Sequence, residues 1–318
     1  MVTARAAGIL FAGIADRALG DPQRGHPVAG FGRCASALES VSYRDSRAAG
    51  AVHTAALVGA VTGLGVLLHR GARSRLGSAA VTAAATWVAL GGTTLARTGT
   101  AMAATLESGD VDGARLVLPA LCGRDPAALD DQGLARAALE SVAENTSDAH
   151  VAPLMWAALG GVPAVLAYRA INTLDAMIGN RSSRYARFGW AAARLDDLAN
   201  LIPARITALL TALCAPLVGG SAAGALRAWR ADADRHPSPN AGVAEAAFAG
   251  ALGVRLGGPT QYRHELEIRP TLGDGPPPRI ADLRRAVRLS QWVQGAAVVL
   301  AAAAVAVGEF VRDSQRSR

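Results

Sequence analysis

The sequence predicts an all-α membrane protein, a polytopic integral membrane helical bundle with polar, motif-bearing loops and broken helices. Three observations predict this fold class. The chain is 51% hydrophobic over 318 residues and only 18% charged, whereas ordinary soluble domains carry about 25% charged residues. Several uncharged runs have the length of about 20 residues that a helix needs to cross a bilayer. The charged residues gather between those runs, where we expect the functional side chains to lie.

Three uncharged runs predict ordinary membrane-spanning helices. They lie near residues 51–69, 76–96 and 289–308, and each is close to the length of one span. A shorter apolar run at residues 6–15 stops at Asp16. We expect this run to stay in the mature chain, because no strongly basic segment precedes it as in a signal peptide.

Two further apolar segments predict broken helices. Residues 149–168 contain Pro153, Pro163 and a glycine pair, and residues 206–226 contain Pro216 and a second glycine pair. Proline and glycine are tolerated at membrane depth where neighbouring protein satisfies the freed backbone groups. We therefore expect kinked or re-entrant helices in these two segments.

The composition excludes several kinds of chemistry. All 32 basic residues are arginine, so the chain has neither a Walker A lysine nor a Schiff-base lysine. The arginines are spread along the chain with few aromatic residues among them, which argues against nucleic acid as a partner. The three cysteines lie far apart, and the six histidines lack a zinc-binding spacing. A bound metal is therefore expected to be a hard ion with oxygen ligands.

The first polar block, LGDPQRGHPVAGFGR at residues 19–33, joins two turn signals to a predicted helix. Pro27 suits the first helical position. Arg24, His26 and Arg33 lie near the predicted helix N-terminus, where an anion can bind. The alternative interpretation is a plain turn followed by a capped helix.

The second block, ALESVAENTSDAHVAPL at residues 138–154, places Glu140, Glu144 and Asp148 four residues apart. In one continuous helix these carboxylates share a face and can bind Mg²⁺ together with a substrate phosphate. Alternatively, the helix ends near Asn145, and the residues that follow cap the next helix. A solvated helix face is the interpretation that involves no ligand.

The third block, residues 172–205, is rich in charge between two apolar segments. Two pairs, Asn172 with Asp175 and Asp196 with Asn200, each lie about one helical turn apart. A charge at the bilayer centre costs about 2.5–3.5 kcal/mol, so this block cannot be a lipid-facing span. Its carboxylates and arginines suit a phosphorylated substrate and its metal, and a structural network of ion pairs is the alternative.

The fourth block, residues 230–253, begins with a rigid turn of sequence HPSPNAG. We expect Asn240 or Gly242 to start a helix that carries Glu245. Arg235 and His236 add cationic donors for a phosphate or a carboxylate.

Taken together, these blocks resemble the adenosylcobinamide-phosphate synthases, the CobD/CbiB family of cobalamin biosynthesis. The resemblance rests on GDPQRGHPVAGFGR, SVAENTSDAHVAPL, YRAINTLDAMIGN, RFGWAAARLDDLANLIPARITAL and DADRHPSPNAGVAEAAFAGALGVRLGG. The blocks follow the family's order, and the resemblance spans roughly residues 8–305. Thr146 and His150 depart from the pattern, since other small or apolar residues are expected there.

The resemblance implies a polytopic enzyme of the bacterial inner (plasma) membrane with its active site facing the cytosol. Residues 1–318 are expected to form a single membrane-embedded catalytic domain. Such acid-amine ligases join (R)-1-aminopropan-2-ol, or its phosphate, to a propionate carboxylate of adenosylcobyric acid, using ATP and Mg²⁺. The implied partners are this corrinoid, the amine and the lipid bilayer, and other membrane-bound cobalamin-assembly enzymes are candidates.

The resemblance assigns no individual roles, and we assign them to the polar residues as expectations from the chemistry of the implied reaction. Catalysis is expected of Glu144, Asp196, Asp197, His26 and His236, with one histidine taking the proton of the amine. Mg²⁺ is expected at Glu144, Asp148, Asp175, Asp196 and Asp197. Substrate or phosphate binding is expected of Arg33, Asn145, Asn172, Arg194, Asn200, Arg205, Arg235, Asn240 and Glu245.

Two other functions fit parts of the pattern. A membrane prenyltransferase or phosphotransferase would hold Mg²⁺-diphosphate with aspartates, but the DDxxD spacing is missing. A small-molecule transporter would place its polar residues in mid-helix, whereas most of them here lie outside the apolar runs. ATP consumption that depends on cobyric acid separates the three functions.

Overall fold

The chain is 80% helical in the computed structural model, which describes residues 4–21, 25–180, 182–261 and 266–316. The helices are α1 (Ala4–Leu19), α2 (Pro27–Ser42), α3 (Arg47–Gly71), α4 (Arg75–Ala89), α5 (Gly92–Glu107), α6 (Val111–Val117), α7 (Asp131–Thr146), α8 (Ala152–Ile178), α9 (Tyr185–Phe188), α10 (Trp190–Ala199), α11 (Leu201–Cys214), α12 (Ala222–Asp232), α13 (Ala241–Leu252) and α14 (Ile280–Arg316). The predicted all-α class is confirmed.

Polar caps set several helix starts. The side-chain oxygens of Ser74, Asp130 and Ser221 each accept a hydrogen bond from the backbone amide three residues ahead, at 2.7–3.0 Å. These bonds satisfy amides that have no partner within a first helical turn. Pro27 is the first residue of α2, as the sequence predicted.

A short antiparallel hairpin interrupts the helical fold. Strand β1 (Leu256–Gln261) pairs with β2 (Leu266–Leu272), with Leu256 opposite Leu272 and an irregularity between Leu256 and Gly258. Gly257 and Gly258 have φ of 78° and 85° there, a backbone conformation open mainly to glycine. The sequence analysis predicted no strand, because this hairpin is short and lies in a charged segment.

Five helical stretches within the described residues are long and apolar enough to cross a membrane. They are Arg47–Gly71, Arg75–Glu107, Asp131–Ile178, Leu201–Val218 and Ile280–Val311. In the first, only 17% of the most apolar window is buried inside the protein. Such an apolar exterior needs lipid around it, and the chain is accordingly a multi-pass membrane protein.

The predicted helix breaks are present, with local differences. A π-helical turn at Ser147–Val151 joins α7 to α8, and α8 is itself broken at Gly161, where φ is 64° and ψ is −150°. The predicted span near 206–226 ends earlier, because Gly219 adopts φ of 66° after a 3₁₀ turn. The predicted span near 76–96 lies within Arg75–Glu107, one of the five stretches, and it contains a break that the sequence did not predict, since α4 ends at Ala89 and α5 begins at Gly92.

The chain divides into two compact units. Unit 1 comprises residues 1–91, 152–200 and 297–318. In it α1 packs on α4, α3 packs on α8, and α10 contacts both α3 and α8. Its buried side chains include Leu174, Ile178 and Phe188. Gly50 contacts the Phe188 backbone so closely that a Cβ there would clash with the carbonyl oxygen.

Unit 2 comprises residues 92–151 and 201–296. Here α13 packs against α7, α11 and α12, and α5 packs against α7. Gly224 and Gly250 allow α12 and α13 to touch backbone to backbone, since a Cβ on either would lie 2.2–2.3 Å from the other's carbonyl oxygen. The single catalytic domain expected from the sequence stays a prediction.

Candidate active site

Asp196 lies at the centre of a buried hydrogen-bond network in unit 1. Asn172 Nδ2 donates to its Oδ1 at 3.2 Å, and Asn200 Nδ2 donates to its Oδ2 at 3.0 Å. Tyr168 in turn donates to Asn200 Oδ1 at 2.8 Å. The predicted shared face of Asp196 and Asn200 is confirmed. These two amide bonds fix the orientation of the Asp196 carboxylate.

The other predicted residues of α8 and α10 surround this network less closely. Arg194 and Asp197 form a surface ion pair at 3.3 Å, with 66% and 31% of their side chains exposed. Asp175 is partly buried, and its carboxylate lies over Gly179, where a Cβ would clash with it. Asp196 is therefore the most buried of the three aspartates that the sequence assigned to Mg²⁺ in unit 1.

His26 begins α2 as its capping residue. Its Nδ1 accepts a hydrogen bond from the amide of Val28 at 3.1 Å. Burial lowers the pKa of His26, and the nearby Arg169 lowers it further, while Asp21 opposes both. Arg33 is exposed on α2, and Arg24, the third cation proposed for an anion site here, lies outside the described residues.

Glu140 forms a buried ion pair in unit 2. Its Oε2 accepts from Arg124, which lies in the turn before α7, and its Oε1 accepts from the amide of Gly257 at 2.7 Å. Burial by itself would lower the pKa of Arg124, but the adjacent Glu140 outweighs it and the pKa is raised. Both oxygens of Glu140 are therefore used to hold the turn and β1 against α7.

Glu245 lies on α13 with only 1% of the residue exposed. Burial raises the pKa of Glu245 well above its ordinary value, and Glu140 and Glu144 raise it further, against the opposing effect of Arg269 and Arg124. Desolvation and like charge both favour the neutral acid. The pKa of Glu245 is therefore held well above that of an exposed glutamate.

His236 faces Glu245 from the turn before α13. The amide of Ser238 donates to its Nδ1 at 3.1 Å, and its Nε2 lies 3.9 Å from Glu245 Oε1. Burial and the neighbouring Arg269 lower the pKa of His236, which keeps the ring neutral. We use the term acidic cluster for Glu140, Glu144 and Glu245 together with Arg124, Arg269 and His236.

The structure corrects the predicted geometry of the second block. The α-helix ends at Thr146, and Asp148 lies in the π-helical turn that follows, so the three carboxylates do not lie in one continuous α-helix. The alternative prediction of a helix end near Asn145 is confirmed, but Ser147 and Asp148 form a π-helical turn that continues directly into α8 instead of capping it. Glu144, Asn145 and Asp148 are all partly exposed, and Asn145 Nδ2 donates to the Ser141 carbonyl at 3.0 Å.

Two arginines that the sequence assigned to phosphate have protein partners. Arg205 donates to the Leu201 carbonyl at 2.8 Å and to Asn240 Oδ1 at 3.0 Å, which ties α11 to the start of α13. Arg235 is exposed and pairs with Asp232 at 3.1 Å. Asn240 is the capping residue of α13, as one of the two predicted helix starts.

The five residues expected to bind Mg²⁺ fall in both units. Asp175, Asp196 and Asp197 belong to unit 1, and Glu144 and Asp148 to unit 2. Among the residues that the structure describes, no group of three or more His, Cys, Asp or Glu side chains is placed to hold a metal. Mg²⁺ commonly binds through one or two carboxylates plus water and substrate phosphates, and Asp196 with its fixed orientation fits that mode.

The sequence analysis missed three members of the acidic cluster as site residues, namely Arg124, Glu140 and Arg269. Glu140 appeared in the predicted spacing, but its partners lie elsewhere along the chain, in a loop and in the unpredicted hairpin. The one signal available was the general requirement that a buried glutamate has a cation as its partner.

Comparison with known proteins places the chain among close relatives. The CobD/Cbib protein family matches residues 9–290. A cobalamin biosynthesis protein CobD of Mycobacterium tuberculosis (strain CDC 1551 / Oshkosh) is 67% identical over 297 residues, which cover 93% of this chain and 95% of the relative. The proteins of the same name from Geobacter metallireducens and Chromobacterium violaceum are 42% and 43% identical, over 95% and 91% of this chain and 97% and 93% of their own lengths.

No solved structure matches the chain. The family match and these identities nevertheless extend over nearly all of both units. The chain belongs to the CobD/Cbib family.

Proposed function

We propose that this protein is an ATP-dependent acid-amine ligase of cobalamin biosynthesis. It joins (R)-1-aminopropan-2-ol or its phosphate to adenosylcobyric acid and forms adenosylcobinamide or its phosphate. The names of the relatives support the pathway. The acidic cluster is the observation that carries the reaction class. Burying charged groups in an apolar protein costs free energy, so such groups occur mainly at functional sites.

A carboxylate and an amine do not condense unaided in water. In the proposed reaction, a carboxylate oxygen of the corrinoid attacks the γ-phosphorus of ATP and ADP leaves, which gives an acyl phosphate. The amine nitrogen then attacks the acyl carbon, and phosphate leaves. Arginines neutralise the transferring phosphoryl group, as the chain has no lysine for this role.

Mg²⁺ fits this proposal as a partner of the substrate phosphates. When bound, it would neutralise charge on the transferring group. Asp196 is the first candidate to hold it, because the amides of Asn172 and Asn200 orient its carboxylate. Glu245 is a poorer candidate, because its raised pKa means that a cation must compete with a proton for the carboxyl group.

The proposed location is the bacterial inner membrane, with the active site open to cytosolic ATP. Five apolar helical stretches support the membrane part of this proposal. The corrinoid, the amine and the bilayer are the proposed partners, and other membrane-bound enzymes of cobalamin assembly are candidates for association.

An assay of the purified protein tests the proposal. The protein in lipid nanodiscs is supplied with adenosylcobyric acid, ATP and Mg²⁺, and with either the free or the phosphorylated aminopropanol. We expect one amide product by mass spectrometry and one ADP and one phosphate per amide. ATP hydrolysis without amide, or prenyl or phosphoryl transfer in place of amide formation, would contradict the proposal.

A genetic test addresses the same step in the cell. Deletion of the gene in a cobalamin-making host should stop growth that depends on cobyric acid, and cobinamide should restore it. Normal use of cobyric acid by the deletion strain would exclude the proposed reaction.

A further inference from the structure

The helix that carries Asp196 has one side packed on the protein and another side exposed. The buried residues of α10 include Ala192, Asp196 and Ala199. Trp190, Leu195 and Leu198 are 42%, 39% and 69% exposed, and we call these three residues the apolar arc. At about 100° per residue they fall within about 140° of the helix circumference, and Asp196 lies on the opposite side.

The position of α10 in the chain and within unit 1 places it at a membrane surface. One apolar stretch ends at Ile178 and the next begins at Leu201, so α10 belongs to the connection between two spans. In unit 1, α10 packs on α3 and α8. Arg47, the first residue of α3, has its guanidinium 5.5 Å from the centre of the Trp190 ring. Trp190 therefore lies level with the end of a span, where tryptophan is enriched in membrane proteins.

The charge around the apolar arc is positive. Four exposed arginines belong to this part of unit 1, namely Arg44, Arg47, Arg187 and Arg194. Among the described residues, Asp45 pairs with Arg187 at 3.6 Å and Asp197 with Arg194 at 3.3 Å. Such exposed pairs contribute little to stability, so both arginines can exchange their partner for another anion. The surface is therefore complementary to anionic headgroups.

The bilayer suits the apolar arc better than a protein or water does. Each side of a stable protein interface contributes about 20–30 residues, whereas α10 has ten. An exposed tryptophan with two leucines is unfavourable in water. Amphipathic helices with arginine beside tryptophan and leucine lie in the plane of the headgroups, and arginine can lay its stem on apolar surface while its charge reaches a phosphate.

We propose that α9 and α10 lie in the headgroup layer of the bilayer, with the apolar arc against acyl chains and with Arg187 and Arg194 on the phosphates of anionic phospholipids. Arg194 lies about 160° around the helix from Asp196, so it is placed for a lipid phosphate instead of the substrate phosphate expected from the sequence. Lipid on one side and the buried network on the other then hold the helix that orients Asp196. This inference does not depend on the reaction proposed above.

A nitroxide spin label on Leu198→Cys measures the depth of the apolar arc. The full-length chain, with the exposed Cys34 replaced by serine, is studied in lipid nanodiscs. Collisions of the label with oxygen, which concentrates among acyl chains, are compared with collisions with a water-soluble nickel complex. We expect a depth of about 5–10 Å into the boundary between headgroups and acyl chains. Leu195→Cys, on the same arc, provides the measurement if Leu198→Cys is not recovered folded.

Two reference labels define the limits of this scale. Ala60→Cys, exposed near the middle of α3, should report the hydrocarbon core. Asp112→Cys replaces a side chain that is 91% exposed and should report water. A label at Leu198 that meets the nickel complex as often as the label at Asp112 would overturn the inference. A label shielded from both reagents would overturn it as well, because protein, such as a second copy of the chain, would then cover the arc.

The lipid class is tested with the same label. Nanodiscs of phosphatidylcholine are compared with nanodiscs of phosphatidylcholine and phosphatidylglycerol mixed two to one. Each arginine near an anionic surface favours the bound position by about fivefold, so collisions with the nickel complex should become several-fold rarer in the mixture. Equal collision rates of the wild-type sequence in both lipids would exclude anionic phospholipid as the partner.

Paired substitutions assign this response to the arginines of the proposal. Arg187→Gln together with Arg194→Gln should abolish the difference between the two lipids at the Leu198 label. Arg70→Gln together with Arg73→Gln removes two exposed arginines at the other end of α3 and is the matched control, which should keep the difference. An unchanged response in the first pair would overturn the assignment of Arg187 and Arg194. All of these measurements report depth and not turnover, so they decide the inference even if the protein forms no amide.

Discussion

Glu140 and Glu245 are neighbouring buried acids that the protein holds in opposite ways. Glu140 accepts hydrogen bonds from Arg124 and from the amide of Gly257, so its charged form is compensated. Glu245 lies beside two other acids, and burial and these acids raise its pKa. Glu140 therefore stabilises the folded protein through these bonds, whereas ionisation of Glu245 destabilises it.

We therefore predict opposite effects of two matched substitutions on the free energy of unfolding. Glu140→Gln leaves Arg124 buried without its partner and should cost about 3–5 kcal/mol. Glu245→Gln should stabilise the protein by about 0.5–2 kcal/mol, the usual range for removing an unfavourable group. Because the folded-state pKa of Glu245 is raised, its stabilising contribution is complete below the ordinary glutamate pKa and is lost as the pH rises through the raised value.

Thermal unfolding in the same detergent at pH 6 and pH 8 measures both effects. The gain from Glu245→Gln should be larger at pH 8, where more of the wild-type Glu245 is ionised. A variant that gains stability and loses turnover would identify a residue kept for function. Equal destabilisation by both substitutions would contradict this account of the cluster.

Asp196 and Asp197 are adjacent in the sequence but differ in their surroundings. Asp196→Asn changes the charge at the centre of the buried network with little change in volume. We expect a loss of about 100–1,000-fold in turnover, equivalent to about 2.7–4 kcal/mol in the transition state, at normal membrane abundance. If Asp196 belonged only to a structural network, the variant should instead be lost from the membrane.

Asp197→Asn serves as the comparison at the same helix. If Asp197 binds Mg²⁺, Asp197→Asn should lose a similar amount of turnover. If Asp197 only forms the i,i+3 surface ion pair with Arg194, the substitution should cost only about 0.3–0.5 kcal/mol of stability. Western blots of membranes together with turnover per molecule measure the two quantities. Full turnover by Asp197→Asn would remove this residue from the metal-binding set.

At the scale of elements, the sequence predicted what depends on local composition. The helices α3 and α14 follow directly from long uncharged runs, and α13 from a turn followed by apolar residues. The break between α4 and α5 was missed, because the run continues without charge through Leu90 and Gly91. The π-helical turn at Ser147–Val151 has no sequence signal of its own, and it interrupts the α-helix that was predicted to carry both Glu144 and Asp148.

The break in α8 provides a prediction at this scale. Gly161 has φ of 64° and ψ of −150°, a conformation that is essentially restricted to glycine. Arg5 NH1 donates to the Ala158 carbonyl just before the break, at 3.3 Å. Gly161→Ala should therefore lower the free energy of unfolding by about 1–3 kcal/mol, measured by thermal unfolding in detergent.

Gly59→Ala is the control for the helix break. Gly59 lies on an exposed face of α3, with no atom within 4 Å of an added Cβ, so alanine should be neutral or stabilising by up to about 1 kcal/mol. If the two alanine variants were equally stable, the break at Gly161 would not depend on glycine.

At the scale of the molecule, the sequence identified which segments are polar but not how their residues pair. Asn172, Asp196 and Asn200 come from one predicted block, and their network could be expected from helical spacing. The partners of Glu140 and Glu245 could not, because Arg124 and Arg269 lie far away in the chain and outside the five resembling blocks. Such pairing follows from packing between elements, which local periodicity does not contain.

The membrane topology is the remaining prediction from the whole chain. Two apolar stretches, Arg47–Gly71 and Arg75–Glu107, separate the block at residues 19–33 from Glu144, so we expect both on one side of the membrane. Cytosolic ATP would have to reach all four polar blocks. Ser183 is a suitable reporter position for chemical labelling, whereas Ser238 is not, because its Oγ accepts hydrogen bonds from the Asn240 and Ala241 amides.

Asp234, exposed in the same turn, is the better second reporter. We predict that Ser183→Cys and Asp234→Cys, in a chain whose exposed Cys34 is replaced by serine, react with a membrane-impermeant maleimide only in inverted inner-membrane vesicles. Intact spheroplasts should leave both positions unlabelled, and the amide-forming activity of each variant checks that the protein is folded. Reaction of either position only from the periplasmic side would place its block away from ATP, and the cytosolic active site would then be wrong.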